Sequence, residues 1–211
     1  MPIEVFLADD HAVMRDGLRL LLEAHPDLRV VGEAATGREA VRQVSADCPD
    51  VLIMDIAMPD LNGIGATRQV RAQCPDTQVV MLSMYSTDEH IARALQAGAV
   101  GYVLKESAGA DVVAAVRAAY AGRQYFSPKI AVALAGKRYL GVSPLDRLSE
   151  REHEILQLTV EGRSSAQIAH ILMLSPKTVE TYRSRIMRKL GLHDLPNLVK
   201  FAIQHGLTSL E

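Results

Sequence analysis

Polar side chains that could do chemistry follow four of five short apolar runs in the first half of the chain. Asp9 and Asp10 come directly after the first run, and Asp55 comes after the third. Ser83 follows the fourth run and Lys105 the fifth. Carboxylates held close together repel one another unless a cation compensates, and Mg²⁺ is bound in proteins through a few carboxylates, waters and phosphate oxygens. These residue types would therefore form a magnesium site if the fold gathers them.

The hydroxyl and the ammonium extend this chemistry to a phosphoryl group. A phosphoryl group on one carboxylate would share the Mg²⁺, accept a hydrogen bond from Ser83 and pair with Lys105. Phosphoryl transfer needs mainly positioning and charge neutralisation, and this set of side chains supplies both. Such residues at the ends of consecutive apolar runs predict a site that accepts a phosphoryl group.

The apolar runs also predict the fold that brings these residues together. They are four to six residues long and rich in Val, Ile and Leu, which is typical of parallel strands buried on both faces. The runs are 3–8, 30–34, 51–54, 79–82 and 101–104. Segments with helical periodicity alternate with them, so we expect a doubly wound, flavodoxin-like α/β domain with five parallel strands. Such sheets bind ligands at the carboxyl ends of their strands.

Motifs around these residues resemble the receiver domain of bacterial response regulators. The matching motifs are Asp9-Asp10-His11, Asp55-x-x-Met58-Pro59 with Gly63, Ser83, and Tyr102 ahead of Lys105. By this resemblance Asp55 is the phosphoacceptor, and Lys105 bridges to the phosphoryl group. The resemblance also implies a switch pair, in which Ser83 is drawn to the phosphoryl group and Tyr102 changes rotamer.

The same resemblance implies a Mg²⁺ cofactor. Asp10, Asp55 and the backbone carbonyl of Ala57 would hold the ion, with Asp9 assisting through a water molecule. One position departs from the family pattern, because many receivers carry a cis-proline where this chain has Glu106. Cis bonds are rare before residues other than proline, so we expect a trans peptide here.

Charge is distributed unevenly along the chain. The net charge of −2 combines −7 over residues 1–121, +4 over residues 122–145 and +1 over residues 146–211. Within the last part, five cations and one anion lie between Ser175 and Gly191. An acidic module is therefore joined to a module that carries a basic stripe.

The second half of the chain predicts four helices. Ser149-Glu150-Arg151-Glu152 is a capping box that begins the first of them. Ser164 caps the second, and Ser175-Pro176 opens the third after a tight turn. A fourth is expected over 197–205. Two helices joined by three residues, the second of them basic, indicate a helix-turn-helix.

The third of these helices divides into an apolar face and a polar face. Val179, Tyr182 and Ile186 fall on the apolar face, and the cations gather on the other. Composition alone leaves the polar face open between a solvated surface and a DNA-binding surface.

A second resemblance favours DNA binding. The motifs are Leu148-Ser149-Glu150-Arg151-Glu152, Ile168-Ala169, Ser175-Pro176-Lys177-Thr178-Val179-Glu180 and Lys189-Leu190-Gly191-Leu192, and they resemble the LuxR-type helix-turn-helix. With a receiver in front, the whole chain resembles the NarL/FixJ family of response regulators. The resemblance implies that bases are contacted by Glu180, Thr181 and Ser184. It implies a second set near DNA phosphates: Lys177, Thr178, Arg185, Arg188 and Lys189. The dimer surface would lie on the fourth helix, with the candidates Leu198, Val199, Ala202 and Ile203. The alternative role of this helix is to close the four-helix core, and one helix can serve both roles.

These expectations describe a two-domain transcription factor rather than an enzyme. The receiver covers 1–121, a linker with a short helix covers 122–145, and the helix-turn-helix domain covers 146–211. We expect a sensor histidine kinase to phosphorylate Asp55, and the phosphorylated homodimer to bind paired half-sites of double-stranded DNA. Two other classes remain open, namely a phosphorylation-dependent adaptor that binds a partner protein and an aspartyl-phosphate phosphatase.

Location and cysteine chemistry follow from composition. No segment approaches the roughly 18 uninterrupted apolar residues of a membrane span, and the N-terminus lacks the features of a signal peptide. We therefore expect a cytoplasmic protein with no membrane partner. Cys48 and Cys74 lack metal-ligand spacing, so we expect two reduced structural thiols.

Overall fold

The computed structural model describes residues 1–135, 143–205 and 207. The chain divides into two units, Met1–Tyr139 and Leu140–Glu211. Residues 136–142, which belong to the predicted linker, lie outside the described residues, as do 206 and 208–211.

The first unit is a six-stranded sheet with helices on both faces. Its strands are β1 (Ile3–Ala8), β2 (Leu28–Ala34), β3 (Val51–Asp55), β4 (Gln78–Ser83), β5 (Gly101–Leu104) and β6 (Tyr125–Phe126). Its helices are α1 (Ala12–Glu23), α2 (Gly37–Asp47), α3 (Gly63–Gln73), α4 (Asp88–Gln96), α5 (Ala108–Tyr120) and α6 (Pro128–Leu134). All neighbouring strands pair in parallel, in the order β2-β1-β3-β4-β5-β6. The predicted doubly wound α/β fold is confirmed, and the strand order reverses between β1 and β3, where such folds bind ligands.

The central strands are buried on both faces, as the apolar runs predict. Successive side chains of a strand point to opposite faces of the sheet. In β3, Leu52 and Met54 pack into the core beneath α2, α3 and α4. Val51 and Ile53 pack into the opposite core, beneath α1 and α5. The two cores hold the strand ends in a fixed relation, which a site assembled from the ends of four strands requires.

The predicted count of five strands is wrong, because residues assigned to the linker add β6 and α6 to the first unit. Tyr125 and Phe126 pair with β5, and the Ser127 amide donates a hydrogen bond of 3.1 Å to the Tyr102 carbonyl. Ile130 of α6 is fully buried in the core that contains Tyr102. A strand of two residues leaves no periodic pattern in the sequence, so only its pairing with β5 reveals it.

The expectation of two reduced thiols is also wrong, because Cys48 and Cys74 form a disulfide. Each cysteine is the C-cap of its helix, Cys48 of α2 and Cys74 of α3. These two helices pack side by side, and their ends bring the Cα atoms to 5.6 Å, within the range that a disulfide needs. A separation of 26 residues along the chain carries no sign of this proximity.

The second unit is helical. Its helices are α7 (Glu150–Val160), α8 (Ser165–Leu172), α9 (Pro176–Leu190) and α10 (Leu195–Gln204), preceded by a 3-10 turn at Pro144–Arg147. The predicted capping box is present, since the Ser149 side chain accepts from the Glu152 amide and the Glu152 side chain accepts from the Ser149 amide. Met173, with a left-handed φ of 54°, ends α8 and begins the turn into α9. Val179 and Ile186 bury the inner face of α9, so its outer face is held in one orientation.

Among the described residues, none of the helices combines the length and the apolar character that crossing a bilayer requires.

Candidate metal centre and nucleic-acid interface

Four side chains with metal-ligand atoms meet at the carboxyl edge of the sheet. Asp9, Asp10, His11 and Asp55 each place one such atom within 4.8 Å of the others. The first three follow β1 and the last ends β3, and these strands are neighbours. Asp9 and Asp55 are buried, whereas His11 is exposed. The predicted convergence of the three carboxylates is therefore present, with His11 as an added member.

Lys105 holds two of these carboxylates together. Its ammonium lies 2.8 Å from Oδ2 of Asp9 and 2.8 Å from Oδ2 of Asp55, and its side chain is only 6 % exposed. Burial lowers the pKa of Lys105, but the two carboxylates raise it by more, so the residue stays charged. On the exposed side of the cluster, Nδ1 of His11 lies 2.6 Å from Oδ1 of Asp10.

One ammonium does not fully offset the acidic charge. Burial and the charge of Asp9 raise the pKa of Asp55 to about 6, although Lys105 acts in the opposite direction. Oxygen donors with surplus negative charge suit a hard cation such as Mg²⁺. The residues present therefore fit this ion, and the excess of carboxylates over cations is the reason.

The binding of Mg²⁺ should depend on pH in a direction set by Asp55. Because the pKa of Asp55 is about 6, lowering the pH through 6 protonates a ligand, and a proton must then leave before the ion binds. We expect the apparent affinity to fall by up to about tenfold per pH unit below that value, as for one competing proton. Calorimetric titrations at about pH 5 and about pH 7.5 measure this. Asp55→Asn should bind more weakly and with less pH dependence, and an affinity that is equal at both pH values in the wild type would contradict the assignment.

A glycine shapes the loop that carries Ala57. The Gly63 amide donates a hydrogen bond of 2.9 Å to the Ile56 carbonyl and closes the loop after β3. A Cβ atom at Gly63 would lie 1.9 Å from the carbonyl oxygen of Asp55, so only glycine allows this approach. The Ala57 amide in turn lies 3.4 Å from Oδ1 of Asp55. The proposed ligand Ala57 is thus held beside the acidic cluster by the motif residue Gly63.

Ser83 and Tyr102 are connected through a residue that sequence reasoning did not single out for this role. The Tyr85 amide donates to Oγ of Ser83 at 2.9 Å, and the Tyr102 hydroxyl donates to the Tyr85 carbonyl at 2.8 Å. The Tyr85 ring stacks on His90 of α4, with ring centroids 4.5 Å apart. Burial raises the pKa of the Tyr102 hydroxyl well above its ordinary value, so it remains a hydrogen-bond donor. A movement of Ser83 would therefore be transmitted to Tyr102 through the backbone of Tyr85.

Arg15 is a second residue that sequence reasoning missed. Its guanidinium donates a hydrogen bond of 2.6 Å to the Asp9 carbonyl and contacts Glu33 on β2 at 3.3 Å. It thereby supports the backbone of the loop after β1. In the sequence, the only sign of this role is an arginine shortly after the pair Asp9-Asp10. That pattern is too common to assign a role to Arg15.

The departure at Glu106 has a structural counterpart. Glu106 lies in a 3-10 turn, Lys105–Ser107, and the described residues contain no cis peptide bond. Its carboxylate pairs with Lys129 of α6 at 3.0 Å, with both side chains exposed. The residue next to Lys105 therefore contacts the helix that packs over Tyr102.

The polar face of α9 is exposed as predicted. Its exposed members are Lys177, Glu180, Thr181, Ser184, Arg185, Arg188 and Lys189. Lys189 is paired with Glu152 within the unit. Thr178 is half-buried, and its amide and hydroxyl both bond to Ser175, the N-cap. The guanidinium of Arg185 lies 5.9 Å from the centre of the Tyr182 ring, which keeps it close to the helix surface.

The candidates on α10 separate into two groups. Leu198 and Ala202 are buried in the core of the second unit, so these two candidates have the alternative role of closing the core and are not available as dimer surface. Val199 and Ile203 instead line an open apolar groove together with Leu195 and Pro196, Lys200 and Gln204. Helical periodicity assigned one apolar face to α10, and packing against α7 uses part of it.

Known proteins match both units. The family described as response regulator receiver domain matches residues 5–117, and the luxR family of bacterial regulatory proteins matches residues 146–202. The response regulator UvrY of Escherichia coli O6:H1 is 39% identical over 212 residues, covering 99% of this chain and 97% of that protein. The response regulator GacA of Pseudomonas syringae pv. syringae is 40% identical over 208 residues, covering 97% of each.

A solved structure extends the likeness to nearly the full length. The complex of the two-component response regulator RcsB with DNA matches with a TM-score of 0.60 and 27% identity, covering 95% of this chain and 98% of that one. Together with the two family matches, this similarity is not confined to one unit. The chain belongs to the NarL/FixJ family of two-component response regulators, with a receiver domain and a LuxR-type helix-turn-helix domain that binds DNA to regulate transcription.

Proposed function

We propose that phosphorylation of Asp55 by a sensor histidine kinase controls dimerisation and sequence-specific DNA binding by this chain. One observation supports this most strongly: the buried Lys105 bridges Asp9 and Asp55 at 2.8 Å each. A cation in that place orients the Asp55 carboxylate and would pair with a phosphoryl group attached to it. The receiver is proposed to cover 1–121, the linker 122–145 and the DNA-binding domain 146–211. The first part of this linker folds onto the receiver as β6 and α6.

The transfer step uses Asp55 as the nucleophile. A carboxylate oxygen attacks the phosphorus of a phosphohistidine on the kinase, so that a P–O bond forms, the P–N bond breaks and the imidazole leaves. Asp10, Asp55 and the Ala57 carbonyl would hold Mg²⁺, with Asp9 assisting through water. The ion would neutralise charge on the phosphoryl oxygens, as positioning-dominated transfer requires.

The switch begins at Ser83. In the structure its Oγ accepts a hydrogen bond from the Tyr85 amide. After phosphorylation its hydroxyl would donate to the phosphoryl oxygens, and Ser83 would move away from that amide. Tyr102 bonds the carbonyl of the same Tyr85, so its rotamer would change in response. The Tyr102 carbonyl accepts from the Ser127 amide, and Ile130 packs in the same core. A change at Tyr102 would thus reach β6 and α6, the last described elements before residues 136–142.

The outer face of α9 is proposed to enter the major groove. Glu180, Thr181 and Ser184 would face bases, and Glu180 accepting from a cytosine amino group would be worth about 1–3 kcal/mol of discrimination. The Thr181 hydroxyl now donates to the Lys177 carbonyl at 3.0 Å, so it must rotate to reach a base. Phosphates would be contacted by a set of polar and cationic residues: Lys177, Thr178, Arg185 and Arg188.

Dimers would form through the exposed groove of α10. Val199 and Ile203 offer apolar surface there, and a two-fold pair of such grooves would place two recognition helices on half-sites one DNA turn apart, or a multiple of it. In one of the matching solved structures, two RcsB dimers are bound to two parallel DNAs, which supports a dimeric arrangement here. We also propose that the protein is cytoplasmic and that its partners are a kinase and DNA rather than a turned-over substrate.

Genome-wide footprinting of the wild type beside Asp55→Asn tests this proposal. We expect the wild type to protect paired half-sites when the stimulus is present, and Asp55→Asn to protect them weakly in every condition. Asp60→Asn is the matched control, because it changes a carboxylate of the same loop outside the acidic cluster. Equal occupancy by wild type and Asp55→Asn would contradict the switch, and an absence of protected DNA would favour the protein-binding adaptor. Turnover of phosphomonoesters would favour the phosphatase.

A further inference from the structure

The ammonium of Lys189 is paired within the helix-turn-helix domain, although its side chain is 40 % exposed. Its Nζ lies 2.6 Å from Oε2 of Glu152 and 3.1 Å from the Arg147 carbonyl. Lys189 belongs to the last turn of α9, Glu152 to the first turn of α7, and Arg147 ends the preceding 3-10 turn. One side chain therefore joins three elements of the domain.

Glu152 is held in this arrangement by its burial and by a second hydrogen bond. Its side chain is only 4 % exposed, and the same Oε2 accepts a hydrogen bond of 2.7 Å from the Ser149 amide in the capping box. Burial alone would raise the pKa of Glu152, but hydrogen bonds from Lys189 and Ser149 lower it overall. The carboxylate is therefore ionised near neutral pH, and Lys189 supplies the cation that compensates it.

A buried carboxylate makes Lys189 different from its neighbours on α9. A cation that neutralises a DNA phosphate must be free to leave its resting partner. For Lys189 this would leave an ionised, buried Glu152 without a cation, which is strongly unfavourable. Arg185 and Arg188 are exposed, and within the described residues neither forms an ion pair with an acidic side chain.

We propose that Lys189 is a positioning residue, which fixes the C-terminal end of the recognition helix against α7 and contributes no phosphate contact. This inference rests on the proposed role of the outer face of α9 in DNA binding. Its consequence is that α9 is clamped at both ends. Ser175 caps the first turn, and the pair with Glu152 holds the last.

Salt dependence separates a positioning residue from a phosphate contact. Each phosphate contact adds about 0.9 to the slope of log K against log salt, whereas a positioning residue changes the affinity by one factor at every salt concentration. The probe is a duplex that the full-length wild type selects from a random pool. We expect Lys189→Met, which keeps most of the side-chain stem, to weaken binding severalfold with an unchanged slope. Arg188→Ala is the matched control and should lower the slope by about 0.9.

Thermal unfolding of the same full-length variants tests the pair without DNA. We expect Lys189→Met to lower the transition temperature of the second unit by roughly 5 °C. In the double variant with Glu152→Gln the loss should be smaller than the sum of the single losses, because the two residues are coupled. A slope that falls by about 0.9 in Lys189→Met overturns the inference, and so do additive losses. If instead Arg188→Ala leaves the slope unchanged, the proposed phosphate contact at Arg188 is wrong. The role of Lys189 is then decided by whether the losses in transition temperature of Lys189→Met and Glu152→Gln are coupled or additive.

Discussion

Replacing Lys105 with methionine is expected to lower the free energy of unfolding of the receiver by about 3 kcal/mol in metal-free solution. The reason is that Asp9 and Asp55 are buried and both lie 2.8 Å from the Lys105 ammonium. Methionine fills similar space but leaves two carboxylates without a cation. Thermal unfolding should show this as a loss of roughly 10 °C in Tm, and Mg²⁺ should restore part of the loss because it supplies positive charge to the same cluster.

Two further variants make this expectation specific. Lys129→Met removes a lysine whose partner Glu106 is exposed, and pairs of this kind contribute little to stability, so Tm should hardly change. Adding Asp55→Asn to Lys105→Met should recover part of the lost stability, since one buried charge disappears. If Lys105→Met and Lys129→Met are equally stable, the role assigned to Lys105 in the acidic cluster is wrong.

The double variant Arg185→Ala/Arg188→Ala is expected to show the largest loss of DNA affinity. Removing two phosphate contacts should lower the salt slope by about 1.8 and weaken binding roughly fiftyfold near 0.1 M salt, since each contact supplies about 0.9 of the slope. Fluorescence anisotropy on a labelled duplex, at several salt concentrations, measures both quantities. Discrimination between the selected duplex and a scrambled one should change little, because phosphate contacts position the protein rather than read bases.

A cation outside α9 provides the control for the loss of net positive charge in the double variant. Arg123→Ala removes an exposed cation of the first unit and should leave the salt slope unchanged. The assignment of the α9 surface would be contradicted by a double variant whose slope equals that of the wild type. It would also be contradicted if Arg123→Ala gave the same reduction, since the effect would then reflect net charge.

Much of the receiver could be predicted because its chemistry lies where its strands end. A buried strand is an apolar run, and the residue after it stands at the edge of the sheet where ligands bind. Asp9, Asp55, Ser83 and Lys105 were all identified in this way, and three of them meet in direct contacts or within one cluster. The capping residues of α7 and α9 were predictable for a similar reason, since a helix start is a local feature.

What could not be predicted depends on contacts between distant parts of the chain. β6 has two residues and no periodic pattern. The disulfide joins helix ends 26 residues apart. Lys189 looks like one more cation on a basic helix, and only the position of Glu152, 37 residues earlier, shows that it is paired. Leu198 and Val199 are adjacent apolar residues, and only packing decides which of them is buried.

The central claim is that a phosphoryl group on Asp55 controls binding to DNA. The most direct measurement is the affinity of the full-length chain for its selected duplex, with and without beryllofluoride and Mg²⁺, which mimic the phosphoryl group on a carboxylate. We predict at least a tenfold gain in affinity for the wild type, equivalent to about 1.4 kcal/mol, together with a change from monomer to dimer. Asp55→Asn should show neither. An affinity that is the same with and without beryllofluoride in the wild type would contradict the account.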